Sequence, residues 1–486
     1  MTNIRYLVID KKDDVYLKIE ADESIRRDLG EFFTFEVPGF KFMPQYRARQ
    51  WDGKIRLFSY QTGQIYAGLY PYVLQWCKDN EVEVVDGTKI TETKVDDDKV
   101  DKFIEALKIP FKVRDYQKEA FVYATRQNRC LLLSPTASGK SLITYLLVRF
   151  NLLRLKESNK KILIIVPTTS LVEQLFKDFK DYGWSPEKNV HRIYQGHAKE
   201  TNKSIIISTW QSIYKFPKRY FDDIDCVIGD EAHLFKSKSL TGIMTKLHNA
   251  KYRFGFTGTL DGSKTHKWVL EGLFGSCDQV TKTDDLIKSG YLSKFRIKIL
   301  LCKHSSQHFE TYHDEIDYLV ENKGRNNLIK NLVRDLEGNT LVLFNYVEKH
   351  GEPLYDLINS NVKEDRKVFF VHGGTEVVDR EEVRQITEEE DNAVIVASYG
   401  TFSTGINIKR LHNIIFASPS KSRIRNLQSI GRVLRKGEGN SIATLYDIAD
   451  DIGGQNYTLR HLNERVTIYN EENFKYEVIK INLKAS

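Results

Sequence analysis

Short apolar runs rich in β-branched residues alternate with helical patterns through the middle of this chain, in two consecutive series. The first series falls at 130–133, 161–166, 204–208, 226–228 and 252–256, the second at 340–344, 367–371, 393–397, 413–416 and 443–446. Near-continuous apolar strands separated by helices are the pattern of βαβ units, in which a parallel sheet is covered on both faces. The spacing therefore predicts two α/β domains of similar design, one after the other. The chain has 486 residues, and at roughly 100–200 residues per domain this leaves room for about three. With 41% hydrophobic and 12% aromatic residues, there is ample material for packed cores and no case for disorder. No apolar run approaches the roughly 18 residues of a membrane span.

The polar, acidic stretch 88–98 reads as a linker after a small N-terminal α+β domain, with an amphipathic segment at 100–107 beyond it. A second boundary is offered by 281–290 and the polar, helix-like stretch 304–327, with one long connecting helix as the alternative. The expected division is 1–90, 91–280, 281–450 and a short C-terminal extension, 451–486, of one helix and one strand. The first residues lack a basic-then-apolar leader, so a reducing, cytoplasmic setting is expected, and Cys77, Cys130, Cys226, Cys277 and Cys302, scattered without metal-ligand spacing, read as buried thiols.

The first chemical signal is Ser134-Pro135-Thr136-Ala137-Ser138-Gly139-Lys140-Ser141, between the apolar run 130–133 and the helical run 142–150. A loop in that context turns the first amides of a helix toward a polyphosphate. Lys140 then reaches the β and γ phosphates and the Ser141 hydroxyl ligates Mg²⁺. Serine stands at 134 where the usual pattern has glycine. The run 226–228 then ends in Gly229-Asp230-Glu231-Ala232-His233, which places Asp230 for the metal and Glu231 to activate the attacking water.

With these motifs in order, residues 112–447 resemble superfamily 2 helicases of the DEAH type. The resemblance implies two tandem RecA-like domains that bind ATP and Mg²⁺ and move on nucleic acid. It assigns Arg114 and Gln117 to the adenine, His233, Thr257 and Thr259 to coupling, and Thr169, Ser170, Thr209, His372, Thr401 and Thr404 to the nucleic-acid backbone. It also brings Gly405, Gln428, Arg432 and Arg435 to the nucleotide. Arginines three apart on a helix share one face and can stabilise the charge of a γ-phosphate in transfer.

Local charge adds a second expectation. Residues 41–58 hold five basic residues, Lys41, Arg47, Arg49, Lys54 and Arg56, against one acid, Asp52, interleaved with Phe42, Tyr46, Trp51 and Phe58. Cations meet phosphates and aromatic faces stack on bases, so Lys41, Tyr46, Arg47, Arg49, Lys54 and Arg56 are expected at nucleic acid. Asp52-Gly53 equally reads as a hairpin turn, with Trp51, Ile55 and Leu57 as core residues. A basic module ahead of such a motor resembles XPB-like helicases and the recombination and repair helicases of T-even phages. That resemblance implies branched DNA, including forks, Holliday junctions and R-loops with their RNA–DNA hybrids, and action in a host cytoplasm by a monomer or weak oligomer without a membrane. An RNA helicase, a translocating restriction subunit and a non-catalytic ATP-gated scaffold remain the competing readings. The scaffold is disfavoured because Lys140, Glu231, Arg432 and Arg435 are all present.

Overall fold

The structure, a computed structural model, describes residues 5–405, 408, 410–418, 420, 422, 426, 427, 429–431, 442–453 and 455–483, with the backbone alone at 377 and 403–405. Two compact units are present: Met1–Ser134 with Gly139–Val280, and Pro135–Ser138 with Thr281–Ser486. Among the described residues no helix is long and apolar enough to cross a membrane.

In the first unit, a seven-stranded, all-parallel sheet runs in the order Val190–Ile193, Ile205–Thr209, Lys161–Val166, Ile224–Gly229, Tyr252–Thr257, Arg129–Leu133, Cys277–Gln279. The strand Lys161–Val166 explains why its sequence is apolar throughout. Ile162, Ile164 and Val166 enter the core on one face, while Leu163 and Ile165 enter the core on the other, as the two-residue period of a strand requires. The same sheet positions the chemistry. The Arg129–Leu133 strand, which precedes the phosphate loop, lies beside Tyr252–Thr257, and that strand lies beside Ile224–Gly229, so three motifs leave the sheet at adjacent carboxyl ends. Such a crevice is where open parallel sheets place their ligands.

Residues 6–86 of this unit form a five-stranded sheet in the order Phe58–Ser59, Gln64–Tyr66, Tyr16–Ala21, Tyr6–Lys11, Glu83–Asp86. The helices Glu23–Phe32 and Tyr70–Asp79 accompany it. Its core includes Leu7, Ile9, Leu17, Ile25, Leu29 and Val73, together with Trp268 from the helix Lys264–Phe274 of the parallel-sheet domain. Glu271 of the same helix accepts a hydrogen bond of 2.7 Å from the Tyr72 hydroxyl, and a Cβ at Gly68 would collide with the Glu271 main-chain oxygen. The stretch 87–96 is irregular and ends where Asp96 caps the helix Asp97–Ala106; Thr93 N–H donates to Arg126 O at 2.8 Å, and residues 1–134 belong to one compact unit.

In the second unit, another all-parallel sheet of seven strands has the order Val368–Val371, Val394–Ser398, Thr340–Phe344, Asn413–Phe416, Ala443–Asp451, Phe295–Lys303, Tyr476–Asn482. The stretch 304–327 follows the strand Phe295–Lys303 and lies mainly in the helices Tyr312–Glu321 and Lys323–Asp335. It is thus internal to this unit and is not one long connecting helix. The C-terminal helix Tyr457–Glu471 and strand Tyr476–Asn482 complete the sheet, the strand pairing in parallel with Phe295–Lys303. Buried Arg465 on that helix bonds Asp447 at 2.9 Å, and the Tyr469 hydroxyl donates to the same carboxylate at 2.8 Å.

Candidate nucleotide and nucleic-acid sites

The loop between the Arg129–Leu133 strand and the helix Lys140–Arg154 needs two left-handed residues, Ala137 at φ 66° and Gly139 at φ 85°. The loop closes on itself, since the Ser138 main-chain N–H and hydroxyl both donate to Pro135 O, at 3.2 and 2.7 Å. Pro135 and Ser138 are buried, while Thr136, Ala137, Lys140 and Ser141 are partly exposed. The conformation at Gly139 favours glycine, and a Cβ there would also press on the Gln117 side-chain amide. Gln117 is buried, and its Oε1 accepts from the Arg114 N–H at 3.0 Å. The Arg114–Gln117 segment, expected at the adenine, therefore packs directly against the loop at Gly139.

The Ser134 N–H donates to Thr257 O at 2.9 Å, which ties the loop to the neighbouring strand. From the next strand come Asp230 and Glu231. Lys140 Nζ lies 3.4 Å from Glu231 Oε1, joining two motifs 91 residues apart. Glu231 is left-handed at φ 49°, an uncommon conformation for a non-glycine residue. Burial would raise the Glu231 pKa, but the Lys140 ammonium and His233 outweigh it and hold the carboxyl below its usual range. Asp230 goes the other way: burial pushes it up, and the Glu231 charge adds to this against the pull of Lys140. Opposed shifts on adjacent carboxylates mark groups built for different tasks.

His233 Nδ1 lies 3.1 Å from the Thr257 hydroxyl, which in turn donates to Thr259 O at 3.0 Å. All three expected coupling residues are buried and belong to one hydrogen-bonded chain. Two partners had no signature in the sequence. The Tyr182 hydroxyl shares a hydrogen bond of 2.7 Å with Ser141 Oγ, and His266 Nε2 donates to His233 O at 3.0 Å. His266 Nδ1 also lies 2.9 Å from Asp261, which binds Lys236.

These residues fit a magnesium nucleotide. Glu231 Oε2 is buried with His233 Nδ1 near it, at 3.3 Å, and an ammonium, a hydroxyl and two carboxylates occur around one loop with two left-handed residues. Such a set suits phosphate on one side and a hard cation on the other.

The expected backbone contacts divide by exposure. Thr169 and Ser170 are exposed at the start of the helix Thr169–Asp181, which Thr168 caps. Gln211, also exposed, donates to Pro167 O at 3.2 Å and links the two motifs of this domain. Thr209 is buried and bonds Ser212 at 2.8 Å, and in the second unit buried Thr401 bonds Ser398 at the same distance. Both hydroxyls are engaged at helix starts, whereas His372 is half-buried and its Nδ1 accepts from Gly374 N–H. Gln428, Arg432 and Arg435 lie outside the described residues, as does the side chain of Thr404, and Gly405 is described by its backbone alone.

In the N-terminal region, Lys41, Arg47, Arg49, Lys54 and Arg56 are all exposed. Arg56, however, forms an ion pair with Asp52. Phe58 and Leu57 are buried, while Trp51 is half-buried and donates to Lys54 O at 2.9 Å. Asp52-Gly53 makes a turn, with Gly53 at φ 80°, but it does not join adjacent strands. The strand Lys54–Arg56 pairs back with Thr34–Glu36.

Three family models match the chain: "DNA helicase UvsW, N-terminal" over residues 7–86, "Type III restriction enzyme, res subunit" over 110–262, and "Helicase conserved C-terminal domain" over 324–437. The ATP-dependent DNA helicase uvsW of Enterobacteria phage T4 is 32% identical over 502 residues, spanning 97% of this chain and 98% of the relative. The DNA 3'-5' translocase XPB2 of Sulfurisphaera tokodaii is 22% identical, over 72% of this chain and 85% of its own. The crystal structure of T4 UvsW aligns over 98% of this chain and all of its own, with 30% identity and a TM-score of 0.52.

Proposed function

The chain belongs to the UvsW family of ATP-dependent DNA helicases, and on that footing we propose that it couples ATP hydrolysis to the unwinding or branch migration of branched DNA. The observation that carries the reading is the approach of Lys140 to Glu231 at 3.4 Å, which joins the phosphate loop to the acidic motif at adjacent strand ends. Residues 135–141 hold the phosphates, with Lys140 on the β and γ groups. Ser141 and Asp230 hold Mg²⁺, which when bound neutralises charge developing on the transferred phosphoryl group. Glu231 orients and deprotonates the attacking water, Gln117 and Arg114 face the base, and Gly405, Gln428, Arg432 and Arg435 act on the nucleotide from the second motor domain.

His233, Thr257 and Thr259 pass the state of that site to the surface that grips DNA. Thr169 and Ser170 offer hydroxyls and helix-start amides to successive phosphates, with His372, Thr209, Thr401 and Thr404 beside the same strand. Residues 1–90 supply a DNA-binding module, 91–280 and 281–450 the two motor domains, and 451–486 the remainder of the second.

A panel of ATPase and unwinding assays on single-stranded, forked, four-way and RNA–DNA hybrid substrates tests this reading. Turnover is expected to rise with DNA, and forks and four-way junctions are expected to be remodelled. Strong stimulation by RNA alone overturns the branched-DNA assignment.

A further inference from the structure

Residues 37–53 leave the N-terminal domain as an excursion closed at its base by the antiparallel pair Thr34–Glu36 and Lys54–Arg56. Val37 N–H extends that pairing by donating to Gly53 O at 2.9 Å. Inside the excursion, the Phe40 and Tyr46 rings meet edge-on at 4.7 Å, and Phe40 lies so close over Gly53 that a Cβ there would collide with it. Of the four aromatic side chains between 40 and 51, Phe42 alone is exposed, to 76%. The acid of this stretch, Asp52, is taken by Arg56, and Lys41, Arg47, Arg49 and Lys54 are exposed on the same stretch of chain with no ion pair to a carboxylate among the described residues; Lys41 Nζ lies 5.8 Å from the Phe40 ring centre.

The base is anchored to the motor domain. The Phe35 ring meets Trp268 edge-on at 5.1 Å, and Lys264 Nζ sits 5.7 Å from the Phe35 ring centre and 4.4 Å from that of Trp268. An exposed aromatic on a short excursion that carries four exposed cations suits a nucleic-acid end. The ring stacks on a base face while the cations meet the flanking phosphates. An apolar protein surface would instead strand those charges.

We propose that Phe42 is a wedge that stacks on the terminal base pair where duplex DNA becomes single-stranded. This rests on the DNA-remodelling reading above and adds the residue that meets the junction. Because the excursion is fixed to the domain that carries Lys140, advance of that domain presses the ring into the duplex.

The test uses the full chain, wild type and Phe42→Ala, on a fork with 2-aminopurine in the junction base pair. Without ATP, wild type is expected to change the probe's fluorescence and Phe42→Ala to leave it at the free-DNA value under saturation. With ATP, Phe42→Ala is expected to unwind the fork about tenfold more slowly, the scale of one lost base stack, while ATP turnover on single-stranded DNA stays within twofold. Phe42→Trp should restore both signals. Equal probe response or equal unwinding by Phe42→Ala overturns the proposal. So does a parallel loss of unwinding and single-strand-stimulated turnover, which would mark a structural role. Failure of the wild type to unwind any branched substrate would instead count against the function, while the probe response without ATP still reports on the wedge.

Discussion

His266 donates from Nε2 to the main-chain oxygen of His233, 3.0 Å away and 33 residues earlier in the chain. His233 belongs to the acidic motif, while His266 sits on the helix Lys264–Phe274, whose Trp268 is packed into the N-terminal core. One helix therefore touches both the ATP-site motif and the domain that carries the basic excursion. His266→Ala is expected to lower DNA-stimulated turnover several-fold while leaving ATP affinity within about twofold, since a lost hydrogen bond costs about 0.5–1.5 kcal/mol net. Steady-state kinetics with and without DNA decide this, and an equal drop in both conditions would remove the coupling role.

Glu231→Gln keeps the shape of the side chain and removes its basicity. Hydrolysis should fall about 10²–10⁴-fold, the usual contribution of a positioned general base, with ATP binding retained. Lys140→Ala should lose binding and turnover together. Both variants should unfold within a few degrees of wild type, because the Lys140–Glu231 contact is long, at 3.4 Å, and the gain from a mostly buried pair is largely offset by its desolvation.

Tyr182→Phe tests whether the tyrosine competes for Ser141. Where Tyr182 is the donor, the 2.7 Å bond occupies one of the two lone pairs of the Ser141 oxygen and competes with a metal for its electron density. Freeing the serine should tighten ADP binding two- to tenfold in Mg²⁺, on the scale of about 0.5–1.5 kcal/mol for one hydrogen bond, with no change in EDTA. A fluorescent-nucleotide titration in both buffers reads the difference.

Arg47→Glu combined with Arg49→Glu should weaken DNA binding and lower the slope of log affinity against log salt by about two, roughly one per lost phosphate contact. A slope unchanged across the titration would return both arginines to a solvated face.

Asp450 predicts acid sensitivity in the second unit. Burial would raise its pKa, but Arg325 and His304 override this and lower it. Arg325 Nε lies 2.9 Å from its Oδ1, as does His304 Nε2. A carboxyl depressed in the folded state stabilises fully above its unfolded pKa of about 3.9, and that contribution is lost as pH falls toward the lower folded value. Asp450→Asn should cost about 3–5 kcal/mol by leaving the buried Arg325 charge uncompensated, and should flatten the acid limb of a urea-midpoint profile.

The motor cores were legible because each central strand is apolar on both faces, as at Ile162–Ile165. The edge strands Val190–Ile193 and Cys277–Gln279 escaped because they are short and mix polar with apolar residues. Phe295–Lys303 escaped for another reason: it interleaves lysine and arginine with apolar residues, and its partners Ala443–Asp451 and Tyr476–Asn482 lie far along the chain. The phosphate loop and acidic motif are local sequence patterns, so Lys140 and Glu231, which the fold brings to 3.4 Å, could be singled out directly. Tyr182 and His266 could not, since their roles come from contacts across the fold. In the basic stretch, composition gave five cations, but only packing distinguishes Arg56, held by Asp52, from the rest.

Trp268 completes a core whose other members begin at Leu7. During synthesis at about 5–20 residues per second, residues 6–86 are made roughly 10–40 s before that side chain is. The N-terminal core therefore lacks one of its aromatic members until then, and its completion belongs to the folding of the motor domain.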